Sequence, residues 1–339
     1  MTDFLDIEQP AALEAYLRAT LRVGPAEEVA IRLLPGGVSN RTVLVRRASG
    51  EAWVLKQALP KLRVAVDWFS DPIRIQREAV GMRRLCELAP PGTITRLIFE
   101  DPSRHLLAME AVPEPHQNWK TTLLAGNLDL DRVRQFAELL ATIHRRACRR
   151  REELAPEFAD RQFFESLRLE PYYAFTAAAV PAAAAFLQSL IHETRQVRET
   201  LVHGDYSPKN ILLCGPRMVL LDHEVVHWGD PAFDLGFSLT HFLSKAHYLP
   251  AHHTAFAEAA HRYEQTYRQV LGPVAWQNGL SQRAVRHTLG CLLARAAGRS
   301  PLEYLDASQR ARQRDAVVPL MQNLPQSIDA LIDAFLARL

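Results

Sequence analysis

The segments Leu201-Val202-His203-Gly204-Asp205-Tyr206-Ser207-Pro208-Lys209-Asn210 and Leu220-Leu221-Asp222-His223-Glu224 decide the reading of this chain. Between them lie two short apolar runs, Ile211–Leu213 and Met218–Leu221, with Gly215-Pro216 as a turn signal. That pattern predicts a β-hairpin. A hairpin brings its two ends together, so Asp205, Asn210, Asp222 and Glu224 should converge. Each acid adjoins an apolar run and is therefore partly desolvated. A few hard oxygen donors in one place suit Mg²⁺, which keeps waters and binds substrate phosphates.

Working outward, the chain before the hairpin reads as a small sheet. Residues 10–22 form an opening helix. Short β-type runs follow at Val29–Leu34, Thr42–Arg47 and Ala52–Gln57, separated by Pro35-Gly36-Gly37 and Ser49-Gly50. Asp71-Pro72 starts a helix to about Leu88, because an Asp cap followed by Pro is a start signal. Two more strands are expected at Thr95–Phe99 and His105–Glu110, and the two prolines of Ala111–Pro115 mark a linker. The rest is mostly helical. Val133, Phe136, Leu140, Ile143 and Ala147 recur at spacings of three and four. Further helices are expected at 182–200, 232–247, 251–271, 280–297 and 315–338.

Composition narrows the field. The 339 residues are 48% hydrophobic and 23% charged, which is ordinary for a globular chain. The length suggests two lobes, divided here as 1–111 and 112–339. Forty basic against 38 acidic residues give +2, so nothing global attracts nucleic acid. The four cysteines lie far apart, which excludes a C-x-x-C pair and a disulfide framework. No basic start leads into an apolar run. The most apolar stretch, Ala174–Ile191, is broken by Pro181 and reads as a loop and helix start, not a membrane span. The expected compartment is the cytoplasm.

His203-Gly204-Asp205, then Asn210, then Asp222 resemble the catalytic and metal loops of the aminoglycoside phosphotransferase and choline kinase superfamily. The resemblance covers roughly residues 28–300. It implies an α+β, two-lobed protein-kinase-like fold: a small antiparallel-sheet N-lobe, a mostly helical C-lobe, and ATP between them. It implies an ATP lysine on a small-lobe strand, where Lys56 lies in Trp53-Val54-Leu55-Lys56. Only five lysines stand against thirty-five arginines, and Lys56 and Lys209 both fall in these motifs. A compact ammonium suits a phosphate oxygen.

A strand lysine of this type needs a carboxylate. On the 72–88 helix, Glu78 lies about 60° from the middle of the Ile75, Ala79, Met82, Cys86 stripe. It pairs either with Lys56 or with Arg74 one turn away. Gly36, Gly37, Ser39 and Asn40 join two strands and offer backbone and side-chain donors to phosphate, or form an ordinary turn. Met109, Glu110 and Val112 fall where the resemblance places the hinge that would bond an adenine.

By resemblance, Asp205 is the catalytic base, with Lys209 neutralising the transferred phosphate. Asn210 and Asp222 bind Mg²⁺, and Glu224 binds a second ion or a water on the first. His203 braces the loop, Asp230 caps a helix, and Asp234 supports the catalytic loop from below. Trp228 is expected at the cleft or, beside Gly229, in packing. Gly290-Cys291 followed by Arg295 resembles the substrate region of methylthioribose kinase, the member most similar, although a second arginine is missing. Tyr172, Tyr173, Trp228 and Tyr304 could instead cage a quaternary amine. The expected activity is ATP-dependent phosphorylation of a hydroxyl on a small sugar-like or amino-alcohol substrate. Aminoglycoside or choline phosphorylation is the alternative, and a nucleotide-binding pseudokinase acting through protein contacts is the rival of another class. ATP, Mg²⁺ and a small molecule are the implied partners; a homodimer is left open, and no nucleic acid or membrane is expected.

Overall fold

A computed structural model of the chain describes residues 5–35, 37–64, 67–274 and 278–339. The expected sheet is present as five antiparallel strands: β1 (Val29–Leu33), β2 (Asn40–Arg47), β3 (Ala52–Ala58), β4 (Leu97–Asp101) and β5 (Leu106–Glu110), in the order β1-β2-β3-β5-β4. The β2–β3 hairpin turns at Gly50, whose φ of 89° lies where a side chain is strained.

Strand alternation decides what each residue of β3 meets. Trp53 and Leu55 pack with Leu13 and Leu17 of the helix Pro10–Ala19 on one face. Val54 and Ala58 pack with Ile75, Ala79 and Met82 of the helix Arg74–Leu88 on the other. Lys56 has the parity of the second set, which brings its ammonium to that helix.

The remainder is helical, with small ribbons at the junction. Helices Leu130–Arg149, Pro231–Tyr248, His253–Leu271 and Leu280–Ala297 share one core with the rings of Phe136, Phe242 and Tyr263. Of the five ribbon strands among the described residues, the hairpin of Ile211–Cys214 and Arg217–Leu220 was expected. β6 (Gln117–Asn118) pairs with β8 (Ile211–Cys214), and β8 with β9 (Arg217–Leu220), while β7 (Thr200–Val202) pairs with β10 (His227–Gly229). The hairpin closes on Cys214 and Arg217 around Gly215-Pro216.

Some boundaries differ for local reasons. The expected helix 315–338 is two helices, Ala307–Gln322 and Ile328–Leu336. Pro325 cannot continue a helix, and the Ser327 hydroxyl caps the second by accepting from the Ala330 N–H at 3.1 Å. The stretch read as a loop and helix start contains a short helix, Phe175–Ala179, before Pro181. The helical segments Gln162–Ala179 and Pro181–Gln196 meet there at 118°. Among the described residues no single helix is long and apolar enough to cross a membrane.

Candidate active site

Lys56 Nζ lies 2.5 Å from Glu78 Oε1 and 2.9 Å from Asp222 Oδ1. Of the two partners open to Glu78, the structure thus takes Lys56. Glu78 is fully buried because Ile75, Glu78 and Met82 share one stripe of the helix that faces the sheet. Burial penalises the Lys56 ammonium, but Asp222, Glu78 and Glu224 outweigh it and hold the pKa above the usual lysine value. Burial likewise works against the Asp222 carboxylate; Lys56 and Lys209 overcome it and hold that acid below the ordinary range. For Glu78 burial wins, raising its pKa despite Lys56.

Arg74 is turned elsewhere. Fully buried, it donates from Nε to Glu224 Oε2 at 3.0 Å and to the carbonyls of Ser39, Leu59 (2.9 Å) and Ser70 (3.1 Å). One guanidinium thus ties the segment after β1, the residue after β3, the segment before its own helix and the Asp222 loop together. A lysine cannot reach that many acceptors from one point. Arg74→Lys should destabilise the protein by about 1–3 kcal/mol, since buried acceptors lose their donors. Urea unfolding measures this; no change would mean the bonds are dispensable.

The facing loop is built by glycine and by buried bonds. Gly204 has φ of 77°, and a Cβ there would lie 3.0 Å from Val225 Cγ2. This close approach sets Asp205 beside Asn210, whose Nδ2 donates to Asp205 Oδ2 at 2.7 Å and to its carbonyl at 2.9 Å. Arg168 Nη2 lies 3.0 Å from the same Oδ2 and its Nε donates to the Gly204 carbonyl at 2.7 Å. Beneath, Asp234 Oδ2 and Oδ1 accept from the N–H groups of His203 (2.6 Å) and Gly204 (2.8 Å). His203 Nε2 meets His223 Nδ1 at 3.1 Å, linking the two loops. Asp230 accepts from the Ala232 N–H at 3.0 Å and caps the helix Pro231–Tyr248.

The donor set fits a hard divalent cation. With its amide nitrogen on Asp205, Asn210 has its carbonyl oxygen left for a metal. One oxygen each of Glu78, Asp222 and Glu224 lies within 4.8 Å of the others. Asp222 adopts φ of 67°, a left-handed conformation that aspartate tolerates better than most residues. Glu224 differs from its expected part in one respect: its Oε2 is already engaged by Arg74, and by Asn40 Nδ2 at 3.4 Å.

Ser39 and Asn40 are buried, and Asn40 Nδ2 also donates to Ser39 Oγ at 3.0 Å. Gly37 is exposed, and Gly36 lies outside the described residues. At the hinge, the N–H groups of Glu110 and Ala111 are taken by the carbonyls of Arg96 and Ala52, both at 2.9 Å. Among the described residues that leaves Val112 as the first with no bonded N–H beyond β5. Lys209 is exposed and makes no ion pair among the described residues.

Trp228 is a correction. It is buried on β10 opposite Leu201 and lines a pocket with Arg151, Ala155, Ala159 and Arg198, a set that includes no residue of the Asp205–Asp222 cluster. Pairing of β10 with β7 fixes the direction of its side chain, and a three-residue strand has too little alternation to reveal that pairing. The aromatic cage is not assembled either. Tyr173 is buried with its hydroxyl 2.9 Å from His287, and the rings of Tyr172 and Tyr304 face the protein's own cations. Arg295 lies 4.9 Å from the ring centre of Tyr172, and Lys245 lies 5.6 Å from that of Tyr304. Arg295 also donates to the Ser300 carbonyl at 2.8 Å.

Arg168 was not singled out from the sequence, and Arg74 was weighed only as a surface partner of Glu78. Arg168 lies on the helical segment Glu165–Ala174, buried and paired with Asp205.

Residues 30–276 match the model of the phosphotransferase enzyme family. The chain belongs to that family. A methylthioribose kinase of Pectobacterium carotovorum is 25% identical over 247 residues, 65% of this chain and 61% of that protein, so the chain spans about three-fifths of that relative's length. Choline kinase from Cryptosporidium parvum superposes with a TM-score of 0.58 at 9% identity, covering 97% of this chain and 100% of the other. A macrolide 2'-phosphotransferase from Brachybacterium faecium gives 0.52 at 19% identity over 93% and 99%. These likenesses show the two-lobed, kinase-like fold.

Proposed function

We propose that this member of the phosphotransferase enzyme family transfers the γ-phosphoryl group of ATP to the hydroxyl of a small molecule. The observation that carries the reading is Lys56 held between Glu78 and Asp222, at 2.5 and 2.9 Å, opposite a loop bearing Asp205 and Asn210. Phosphoryl transfer has a loose transition state, so catalysis is mainly positioning and charge neutralisation. Lys56 would bind phosphate oxygens, with Glu78 fixing its direction. Asn210 and Asp222, with Glu224 beside them, would hold the divalent ion, which when bound neutralises phosphate charge. Asp205 orients the acceptor hydroxyl and takes its proton. Lys209, exposed at the same loop, suits the transferred group. Gly37, Ser39, Asn40 and the hinge at Met109, Glu110 and Val112 would border the nucleotide. The division into lobes at 111/112 follows the same reading.

The pseudokinase alternative requires lost catalytic positions, and Lys56, Asp205, Asn210 and Asp222 are all present. ADP release with Mg–ATP is expected from a panel of sugars, amino alcohols and hydroxy acids. It should depend on the acceptor and stop when EDTA removes the divalent ion. Acceptor-independent release, or release unchanged by EDTA, would contradict the proposal.

A further inference from the structure

The cation-rich cluster beside Asp205 carries information on the acceptor that the kinase reading leaves open. Lys245, on the helix Pro231–Tyr248, is fully buried. Its ammonium donates to the His241 carbonyl of its own helix at 3.2 Å and forms no ion pair among the described residues. An ammonium has three donors and needs a counter-charge when buried. Two other buried cations have one: Arg74 sits on Glu224 and Arg168 on Asp205, each at 3.0 Å.

Around Lys245 other polar atoms are equally short of partners. His241 Nε2, the Tyr304 hydroxyl and Arg295 Nε are buried without a hydrogen bond. They come from two helices and the segment after the second. Burial, then the charges of Lys245, Arg295, Lys120 and Lys209, push the His241 pKa well below its usual value, so four cations face one imidazole. Glu303 is the carboxylate facing Lys245, and it is paired with Lys120. Burial, and then Lys120 and Arg295, lower Lys245 to about 7 against the pull of Glu303.

The cluster borders the catalytic loop. Arg295 and Arg168 flank one ring, that of Tyr172, at 4.9 and 5.7 Å from its centre. Lys209 immediately precedes Asn210. Positive charge therefore continues from Arg295 through the Tyr172 ring to Arg168 on Asp205, and among the described residues Glu303 is the acid facing Lys245.

We infer that the acceptor carries an anionic group, carboxylate or phosphate, which binds Lys245 and Arg295 while its hydroxyl meets Asp205. This rests on the kinase reading and narrows it. Choline-like and polyamine acceptors would meet repulsion, and the faces of Tyr172 and Tyr304 are already taken by the protein's cations.

Calorimetry on protein saturated with Mg–AMP-PNP tests it with gluconate, glucitol 6-phosphate, glucitol, choline and inorganic phosphate. At least one organic anion should bind ten-fold more tightly than glucitol or choline, and phosphate should raise the melting temperature. Lys245→Met, which removes an unpaired buried charge and so should not unfold the protein, and Arg295→Gln should each abolish that gap while Mg–AMP-PNP binds as before. The inference is overturned if the neutral or cationic probes bind as well as the anions, if no anion binds, or if either variant keeps the preference. Loss of nucleotide binding in Lys245→Met would instead assign the cluster to ATP and overturn it too. A wild-type protein that fails to bind Mg–AMP-PNP brings down the kinase reading and this inference together. Nucleotide binding without an anion preference brings down the inference alone.

Discussion

Asp205→Asn should lower kcat by about 10³-fold, within the 10²–10⁴ that a positioned base contributes, while Mg–ATP binds with unchanged affinity. The geometry says why so small a change matters. Asp205 Oδ2 already receives Asn210 Nδ2 at 2.7 Å and Arg168 Nη2 at 3.0 Å, which leaves Oδ1 for an acceptor hydroxyl. An asparagine would keep its carbonyl oxygen toward those two donors. Its NH₂ group would then face the hydroxyl, where it can accept no proton. The substitution also removes the counter-charge of the buried Arg168, so a lower melting temperature is expected alongside. Steady-state kinetics with the best acceptor, together with calorimetry for the nucleotide, separate the two effects. A kcat within ten-fold of wild type would remove Asp205 from the base role.

The hairpin and the strand bearing Lys56 were legible because each is a local pattern, while the part of Lys56 came from the resemblance. Apolar runs split by Gly215-Pro216 specify which ends meet. The same patterns say nothing about partners brought in from afar. Arg74 lies 150 residues from Glu224 in the chain, and Arg168 lies 37 from Asp205. Neither spacing has a period. Trp228 shows the converse. It was expected at the cleft or in packing, and the pairing of three residues of β10 with β7 turned it toward Arg151 and Arg198. Two- and three-residue strands of that kind carry too little alternation to be read. The break in the last helix was visible in Pro325 and Ser327, yet the apolar periodicity on both sides concealed it. Asp234 was placed under the catalytic loop by resemblance, and its carboxylate accepts there from two backbone N–H groups.

That placement makes Asp234→Ala the most damaging single change for the fold, with an expected loss of about 3–5 kcal/mol in urea unfolding, the range for removing one partner from a buried charged network. Asp234 is fully buried, and three donors converge on it: the N–H groups of His203 and Gly204 at 2.6 and 2.8 Å, and His144 Nε2 at 3.2 Å. With that nitrogen protonated, His144 Nδ1 accepts from the Tyr267 hydroxyl at 2.8 Å. Alanine would leave both backbone donors buried and unpaired at a glycine held at φ of 77°. Burial opposes the Asp234 charge, but the His144 bond and the backbone donors prevail and hold its pKa below the usual carboxylate value. A depressed folded pKa gives stability that is present above the unfolded value near about 4 and is lost as pH falls through the folded one. Wild type should therefore lose this contribution on acidification below about pH 4, whereas the alanine variant should show a flatter acid limb. Asp234→Asn, which can still accept one N–H, should fall between them. If Asp234→Ala unfolds within about 1 kcal/mol of wild type, below the usual cost of an orphaned buried donor, the loop is held instead by Tyr206, whose hydroxyl donates to the Phe136 carbonyl at 2.7 Å and whose own carbonyl accepts from Ser238 at 2.8 Å.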